Sequence, residues 1–511
     1  MISTRLLKKI LLMLSISAAL VFIACTQDDT DGDIESITIN SDSTLNQEYE
    51  GTVVFYSETQ RIFPNIPNYD FGGHTFRVLT MEWRSPEWIP WTIRDIVAEE
   101  LTGNPLNDAV YHRNLALEER YNFIIEQLFA AAEADITILR TAVAAGDNYF
   151  DAVSMPLGPL ARAAQEGLLV DLLSVHYLDF DQPWWDQGTR RDLVIGNRLF
   201  FASGDFMLVN RDAISVILFN KELLADLHFD CPYELVRNGQ WTLSNLYEMS
   251  RSAAADLGGH GERLNLNTDR FGFLSSAIAG GGIPMMHGMG VRFVGRDENG
   301  LPALIFESER NFNVMLAIHD FLRADSTWSF HTNTLFLGGD LFSILEDVFQ
   351  ESRALFKEAT VRTIENLRGM DTNFGILPMP WFDEYQREWG HSLGLMFGHG
   401  IAIPNFHSVD DLDRVGFMLE AISAESRYTV IPAHSDIQLQ GQFIRDDESG
   451  EMLDIIFNSV VWDAGIIYNW VSSDVWGAIF SGTVASAWER SIGRIESAMQ
   501  TTIDSFVGIE N

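Results

Sequence analysis

Two cysteines in 511 residues leave room for at most one disulfide and exclude zinc sites built on paired cysteines. Lysine is nearly missing as well: Lys8, Lys9, Lys221 and Lys357 are the whole set, so positive charge rests on arginine. Basic residues number 34 against 72 acidic ones, a formal charge of −38. Such a field repels phosphate backbones and anionic lipid headgroups, which argues against nucleic-acid binding and electrostatic docking on a membrane. No H-E-x-x-H, no phosphate-binding G-x-x-x-x-G-K-[ST] and no G-x-G-x-x-G between a strand and a helix occurs, and the 12 histidines are scattered without ligand spacing. The expectation is therefore a protein with no cofactor, no metal and no catalytic template of those kinds. What remains is a composition 46% hydrophobic and 21% charged, that of a folded globular chain. A single core stops growing near roughly 250 to 300 residues, so two lobes are expected.

The amino terminus carries an address. Arg5, Lys8 and Lys9 precede an apolar run from Ile10 to Ala24, the length of an export signal and short for a spanning helix. The stretch Phe22-Ile23-Ala24-Cys25 resembles the lipobox of bacterial lipoproteins, with phenylalanine where leucine is usual. The resemblance implies a signal over 1–24, lipid on Cys25 and a protein held at a membrane, facing away from the cytoplasm, without a span of its own. Cys231 then has no disulfide partner. From 25 to 68 the chain is polar, with Asp28, Asp29, Asp31 and Asp33 and no structural period, and reads as an acidic flexible tether.

The folded part opens with Thr75 to Thr80, alternating and β-rich. A helix is expected over Asn107 to Arg120, a strand over Phe123 to Leu128, a helix stopped by Gly146, and a strand over Phe150 to Met155. This βαβαβ rhythm predicts an α/β fold with a parallel or mixed sheet whose strand ends, near Glu82-Trp83, Leu128 and Ser154, lie along one edge, where open sheets bind ligands. Later strands are expected at Leu199 to Ser203, Ser215 to Phe219, Arg353 to Phe356 and Phe374 to Leu377. Helices are expected at Asn220 to Leu227, after Trp241-Thr242, at Asp410 to Glu425 and from Met452.

One catalytic pattern is present literally. Gly390-His391-Ser392-Leu393-Gly394 matches the G-x-S-x-G nucleophile elbow, with His399, His407 and His434 downstream as candidate partners. The elbow needs a buried strand before it and a helix after it, and neither is expected from the charged stretch upstream or the glycines and proline downstream. A serine hydrolase is the alternative this motif keeps open. The 13 tryptophans are more telling, because Trp83, Trp88, Trp184, Trp185, Trp381, Trp389, Trp470 and Trp476 fall outside apolar runs. Indole faces beside carboxylates and arginines suit sugars, whose C–H faces stack while their hydroxyls need donors and acceptors.

Five stretches, in order, resemble the extracellular solute-binding proteins of ABC importers, in the group usually assigned to sugars. They are Leu106 to Asn114, Phe374 to Pro380, Leu419 to Ser426, Ile431-Pro432-Ala433 and Arg445 to Leu453. The resemblance implies a two-lobe periplasmic-binding-protein-like fold of type II, with hinge strands and a cleft between the lobes. One lobe would hold 69–212 plus about 400–440, the other about 213–399 plus 441–511. It further implies a monomer that takes a carbohydrate ligand, an ABC permease as partner and no catalysis. Carried over position by position, ligand contacts fall on Glu82, Trp83, Ser154, Asp205, Phe206, Trp381 and Trp470.

Overall fold

In the computed structural model the chain is described over residues 61–84, 88–131, 136–259, 261, 264–275, 282–329, 341–367, 370, 372–394, 397–435 and 447–508. The export signal, Cys25 and the acidic run lie outside these residues. Strand β1 (His74–Glu82) pairs in parallel with β2 (Phe123–Ala131), Phe76 opposite Ile125, and with β3 (Ala152–Pro156), Thr80 opposite Ser154. The predicted βαβαβ unit is thus present, in the strand order β2-β1-β3, with the antiparallel β12 (His399–Ala402) added beside β3. Parallel strands must be covered on both faces, and β1 and β3 are accordingly buried along most of their length.

The first covering helix, Pro105–Tyr121, shows how the sequence writes an element. Asn104 caps it by accepting from the N–H groups of Leu106 and Asn107, proline opens it, and Asn122 ends it in the left-handed conformation. Leu106, Val110, Arg113, Asn114, Leu117 and Tyr121 form its buried stripe. The next helix, Thr137–Ala145, stops at Gly146, whose φ of 63° is the left-handed cap glycine tolerates best.

A second sheet has the order β8-β5-β9-β4-β10. Here β5 (Phe271–Ser275) runs parallel to β8 (Thr327–Ser329) and to β9 (Ala354–Thr360). Strands β4 (Ser215–Asn220) and β10 (Phe374–Leu377) complete it by antiparallel pairing. The expected strand at Leu199 to Ser203 is instead an extended crossing stretch with one bridge, Ala202 to Ile401. A short hairpin joins β6 (Val294–Arg296) to β7 (Pro302–Leu304), and β11 (His391–Ser392) pairs in parallel with β13 (Val460–Val461).

The helix Val409–Pro432 runs further than the expected Glu425 and buries three polar side chains, Glu420, Ser423 and Ser426. Glu420 accepts from both indoles of Trp184 and Trp185, at 3.0 and 2.8 Å, and burial pushes its carboxyl up to about 7. Ser426 receives one hydrogen bond from Arg113, at 3.1 Å. The Arg113 guanidinium is fully enclosed and spends its other donors on the Ile96 carbonyl (2.8 Å) and the Asn114 amide oxygen (2.9 and 2.8 Å). Burial pulls its pKa down to about 10, so its charge survives at neutral pH because these acceptors surround it.

Replacing Arg113 by Met keeps most of the stem volume but strips the Asn114 amide oxygen of both Arg113 donors and the Ile96 carbonyl of one of its two side-chain donors, while the Ser426 hydroxyl keeps its bond to the Ile422 carbonyl. A loss of about 2–4 kcal/mol in unfolding free energy is expected by urea titration. A loss below about 0.5 kcal/mol would mean that these groups find other partners.

Candidate functional site

At its carboxyl end β1 hands the chain to Trp83, and the segment Trp88 to Ile96 turns back beside it. The short turn Ile89–Trp91 opens on a proline, and the Trp83 amide is pinned by the Thr92 hydroxyl at 3.1 Å. Phe397, from the segment entering β12, packs into the same place. Its ring stacks on Trp91 at 3.8 Å and 12°, and meets Trp88 at 5.5 Å and Trp83 at 6.4 Å. Trp91 is buried, while Trp83 and Trp88 are half-buried, so the cluster ends in a partly open aromatic shelf. The indole N–H of Trp83 has no hydrogen-bond partner among the described residues.

Charged groups border this shelf. Glu82 pairs with Arg84 at 3.4 Å, in the open. Arg94 reaches from the first sheet's loop to Glu365, at 3.4 Å, and to Asp212, at 3.8 Å. Glu365 belongs to the helix Val361–Asn366, which follows β9 of the second sheet. Burial alone would raise the Asp212 carboxyl, but His434, Arg362 and Arg94 together hold it well below the ordinary carboxylate range. These pairs tie the two sheet-bearing parts together beside the shelf.

The seven positions singled out from the sequence are dispersed. Glu82 and Trp83 stand at the strand edge as expected. Ser154 is enclosed within β3, its hydroxyl without a partner among the described residues. Asp205 is engaged by Arg427 at 3.1 Å and by Arg211 at 3.9 Å. Phe206 is buried against Trp185, and Trp470 is buried, stacked on Tyr468 with its indole N–H on Thr502. Trp381 is nearly enclosed and packs on Trp389 at 4.6 Å. Ser154, Phe206, Trp381 and Trp470 are thus buried and Asp205 half-buried, while Glu82 and Trp83 stand half-buried at the strand edge.

The Ser392 hydroxyl lies 2.7 Å from Nδ1 of His287, and Nε2 of His287 lies 3.8 Å from Asp463. The expected histidines go elsewhere: His399 to the Phe397 carbonyl, His407 to that of Asp151, and His434 to Asp212. Ser392 is 3% exposed, and its two-residue strand runs on into β12 and not into a helix. Asp463 caps the helix Ala464–Ile467 and accepts from the amides of Gly465 and Phe293. Gly390 has a packing reason. A methyl group there would sit 2.4 Å from the His287 carbonyl and 2.7 Å from the Arg292 guanidinium.

That guanidinium opens onto a cavity of about 820 Å³. Its walls come from distant stretches of chain: Arg191 and Asp192, Arg292 with the β6–β7 hairpin, Glu388 and Trp389, and residues 454–464. Such a volume lies within the range of about 300 to 1,000 Å³ usual for small-molecule sites. Sequence reasoning missed it because no period or spacing links these stretches. Trp389 was the one visible signal.

No family model matches the chain, and no curated protein matches it. Solved structures do. UspC of M. tuberculosis superposes with a TM-score of 0.53 at 12% identity, over 83% of this chain and 100% of that one. Maltose-bound MalE3 of T. maritima gives 0.50 at 14% identity, over 83% and 99%. MalE of Listeria monocytogenes in complex with maltose gives 0.50 at 13%, over 85% and 99%. Likeness at this identity establishes the architecture: the chain has the α/β type II periplasmic-binding-protein fold.

His391 supplies a pH test. Its Nε2 accepts from the Met379 amide at 3.0 Å and its Nδ1 faces the Ser459 hydroxyl at 2.7 Å, so the ring is neutral. Burial first, then Arg292, pushes its pKa down from 6.5 to about 3. A depressed folded value means that this stability is complete above the unfolded value and drains away as the solution is acidified. The wild type should lose about 2 kcal/mol more than His391→Gln between about pH 7 and pH 5, read from urea curves. Parallel pH profiles would show that the ring is not held neutral.

Proposed function

We propose that this protein is a lipid-anchored, extracellular solute-binding protein that captures a carbohydrate, an oligosaccharide, between two lobes and delivers it to an ABC permease. One lobe is built on the sheet of β1, β2, β3 and β12, the other on the sheet of β4, β5, β8, β9 and β10. Cys25 is the proposed anchor, and the polar stretch to residue 68 the tether that lets the lobes work away from the membrane. The observation that carries the reading is the shelf of Trp83 and Trp88 at the carboxyl edge of the first sheet, with an unspent indole N–H beside Glu82. Support comes from the fold, since MalE3 and MalE, named above, were solved with maltose bound.

A sugar offers two chemistries to such a shelf. Its apolar C–H face buries against indole, and its hydroxyls take up donors and acceptors that would otherwise lose water unpaid. A ligand touching both lobes shifts the population toward the closed arrangement. The permease would read that closed form.

A second reading, an exported serine hydrolase, is favoured by one observation, the Ser392, His287 and Asp463 alignment. It lacks access, because the hydroxyl is buried and the carboxylate end is the one that lines the cavity. Ser392 is then a hydrogen-bond partner that holds His287, and no turnover of nitrophenyl esters is expected from wild type or Ser392→Ala. Turnover abolished by that substitution would establish the hydrolase instead.

The binding reading is tested by calorimetry against maltotriose and other neutral oligosaccharides. Saturable one-to-one binding is expected, weakened more than about tenfold, or ~1.4 kcal/mol, by Trp83→Ala. The melting temperature should change little, because the ring is half-buried. Unchanged affinity would remove Trp83 from the site, and no binding by any sugar would remove the proposal.

A further inference from the structure

The cavity of about 820 Å³ is lined by three arginines, Arg191, Arg292 and Arg296, and four carboxylates, Asp192, Glu388, Asp454 and Asp463. One of its three arginines is held by a carboxylate. Arg191 grips Asp192 through Nε and Nη2, at 2.8 and 2.6 Å. Arg296 donates to the carbonyls of Arg191 and Gly300, at 2.7 and 2.6 Å. Arg292 differs. Its Nη1 donates to the carbonyls of His287 and Val291, at 3.1 and 2.8 Å, and among the described residues it forms no ion pair. Its Nε and Nη2 hydrogens are left for something else.

Burial pulls the Arg292 pKa below its ordinary value, and Asp463, Asp192 and Glu388 offset this only in part. Asp463 is already held by two backbone amides, at 2.8 and 2.9 Å. Glu388 and Asp454 stand exposed on the cavity wall, where water and salt screen them over roughly 8 Å. Beside Arg292 lies Trp389, half-buried and braced from behind by Trp381 at 4.6 Å. The bare Cα of Gly390 gives the guanidinium its room.

We propose that this cavity binds a carboxylate-bearing sugar, with the carboxylate on Arg292, the pyranose face on Trp389, and Asn458 and the exposed acids taking hydroxyls. A planar guanidinium matches a carboxylate in two parallel hydrogen bonds, which a lone hydroxyl cannot supply. The overall charge of −38 slows the approach of an anion but does not cancel a contact made inside a half-buried wall. The site is separate from the shelf at Trp83 and goes beyond the capture reading.

The test is isothermal calorimetry on the whole chain near physiological salt, with digalacturonate, its neutral analogue galactobiose, and inorganic phosphate as probes. Digalacturonate should bind one-to-one and at least about tenfold tighter than galactobiose. Arg292→Gln should remove that preference while leaving galactobiose within about threefold, and Arg292→Lys should restore part of it. Trp389→Ala should weaken both sugars, and Trp83→Ala should leave digalacturonate unaffected. Equal binding of the two sugars, no binding of digalacturonate, or full affinity in Arg292→Gln would overturn the proposal. Phosphate binding as tightly as digalacturonate, with Trp389→Ala without effect, would overturn the sugar assignment. A loss on Trp83→Ala matching that of Arg292→Gln would move the acid to the shelf and overturn the cavity site. Binding of maltotriose and its loss in Trp83→Ala are read in a separate titration, so the two readings fail separately.

Discussion

The carbonyl of Ile96 accepts from two buried side chains at once, Arg113 and Asn114, both at 2.8 Å, and much of the candidate shelf depends on that grip. Ile96 ends the segment that carries Trp88, Trp91, Arg94 and Asp95. The loop is therefore fastened to the helix Pro105–Tyr121 and, through Ser426, to the helix Val409–Pro432. Asp95, beside it, accepts from the Leu208 amide, and burial raises its carboxyl to about 6 despite the nearby guanidinium. A loop can carry function when a rigid scaffold positions it. Here the scaffold is a buried cation whose loss would release both helices and the aromatic turn.

That scaffold explains part of what the sequence displayed. Leu106 to Asn114 and Leu419 to Ser426, two of the stretches that resemble solute-binding proteins, touch each other through Arg113 and Ser426, while Leu106 and Val110 pack against Val430. Pro378, in a third stretch, gives its carbonyl to the Trp241 indole at 2.8 Å. The resembling stretches mark where the fold is fastened. They say little about what it holds, which is why the fold was easier to read than the ligand.

The legible elements were those with local causes: the alternation of β1, the cap at Asn104, the stop at Gly146, the apolar run of β4. The site was harder because its determinants are non-local. Trp184 and Trp185 have the look of ligand platforms in the sequence, yet both donate to Glu420, more than two hundred positions away. Phe206 and Trp470 sit among polar neighbours in sequence and are sealed in the core in space. The Gly390 to Gly394 motif was legible as letters only. Its first glycine answers to the His287 carbonyl, and its serine to a histidine from the helix Ile283–Gly288, a partner that no downstream spacing would suggest.

The stretch from Leu377 to His399 joins the end of β10 in the second sheet to the start of β12 in the first, and it serves both candidate places. It carries Trp381 and Trp389 at the cavity, Gly390 and Ser392 against the His287 turn, and Phe397 under the aromatic shelf. The Ile214–Leu393 bridge fastens it to the residue just before β4. Any rotation of one sheet against the other must bend this connection, and bending it moves a wall of each place. One strip of backbone thus contributes to both the aromatic shelf and the cavity wall.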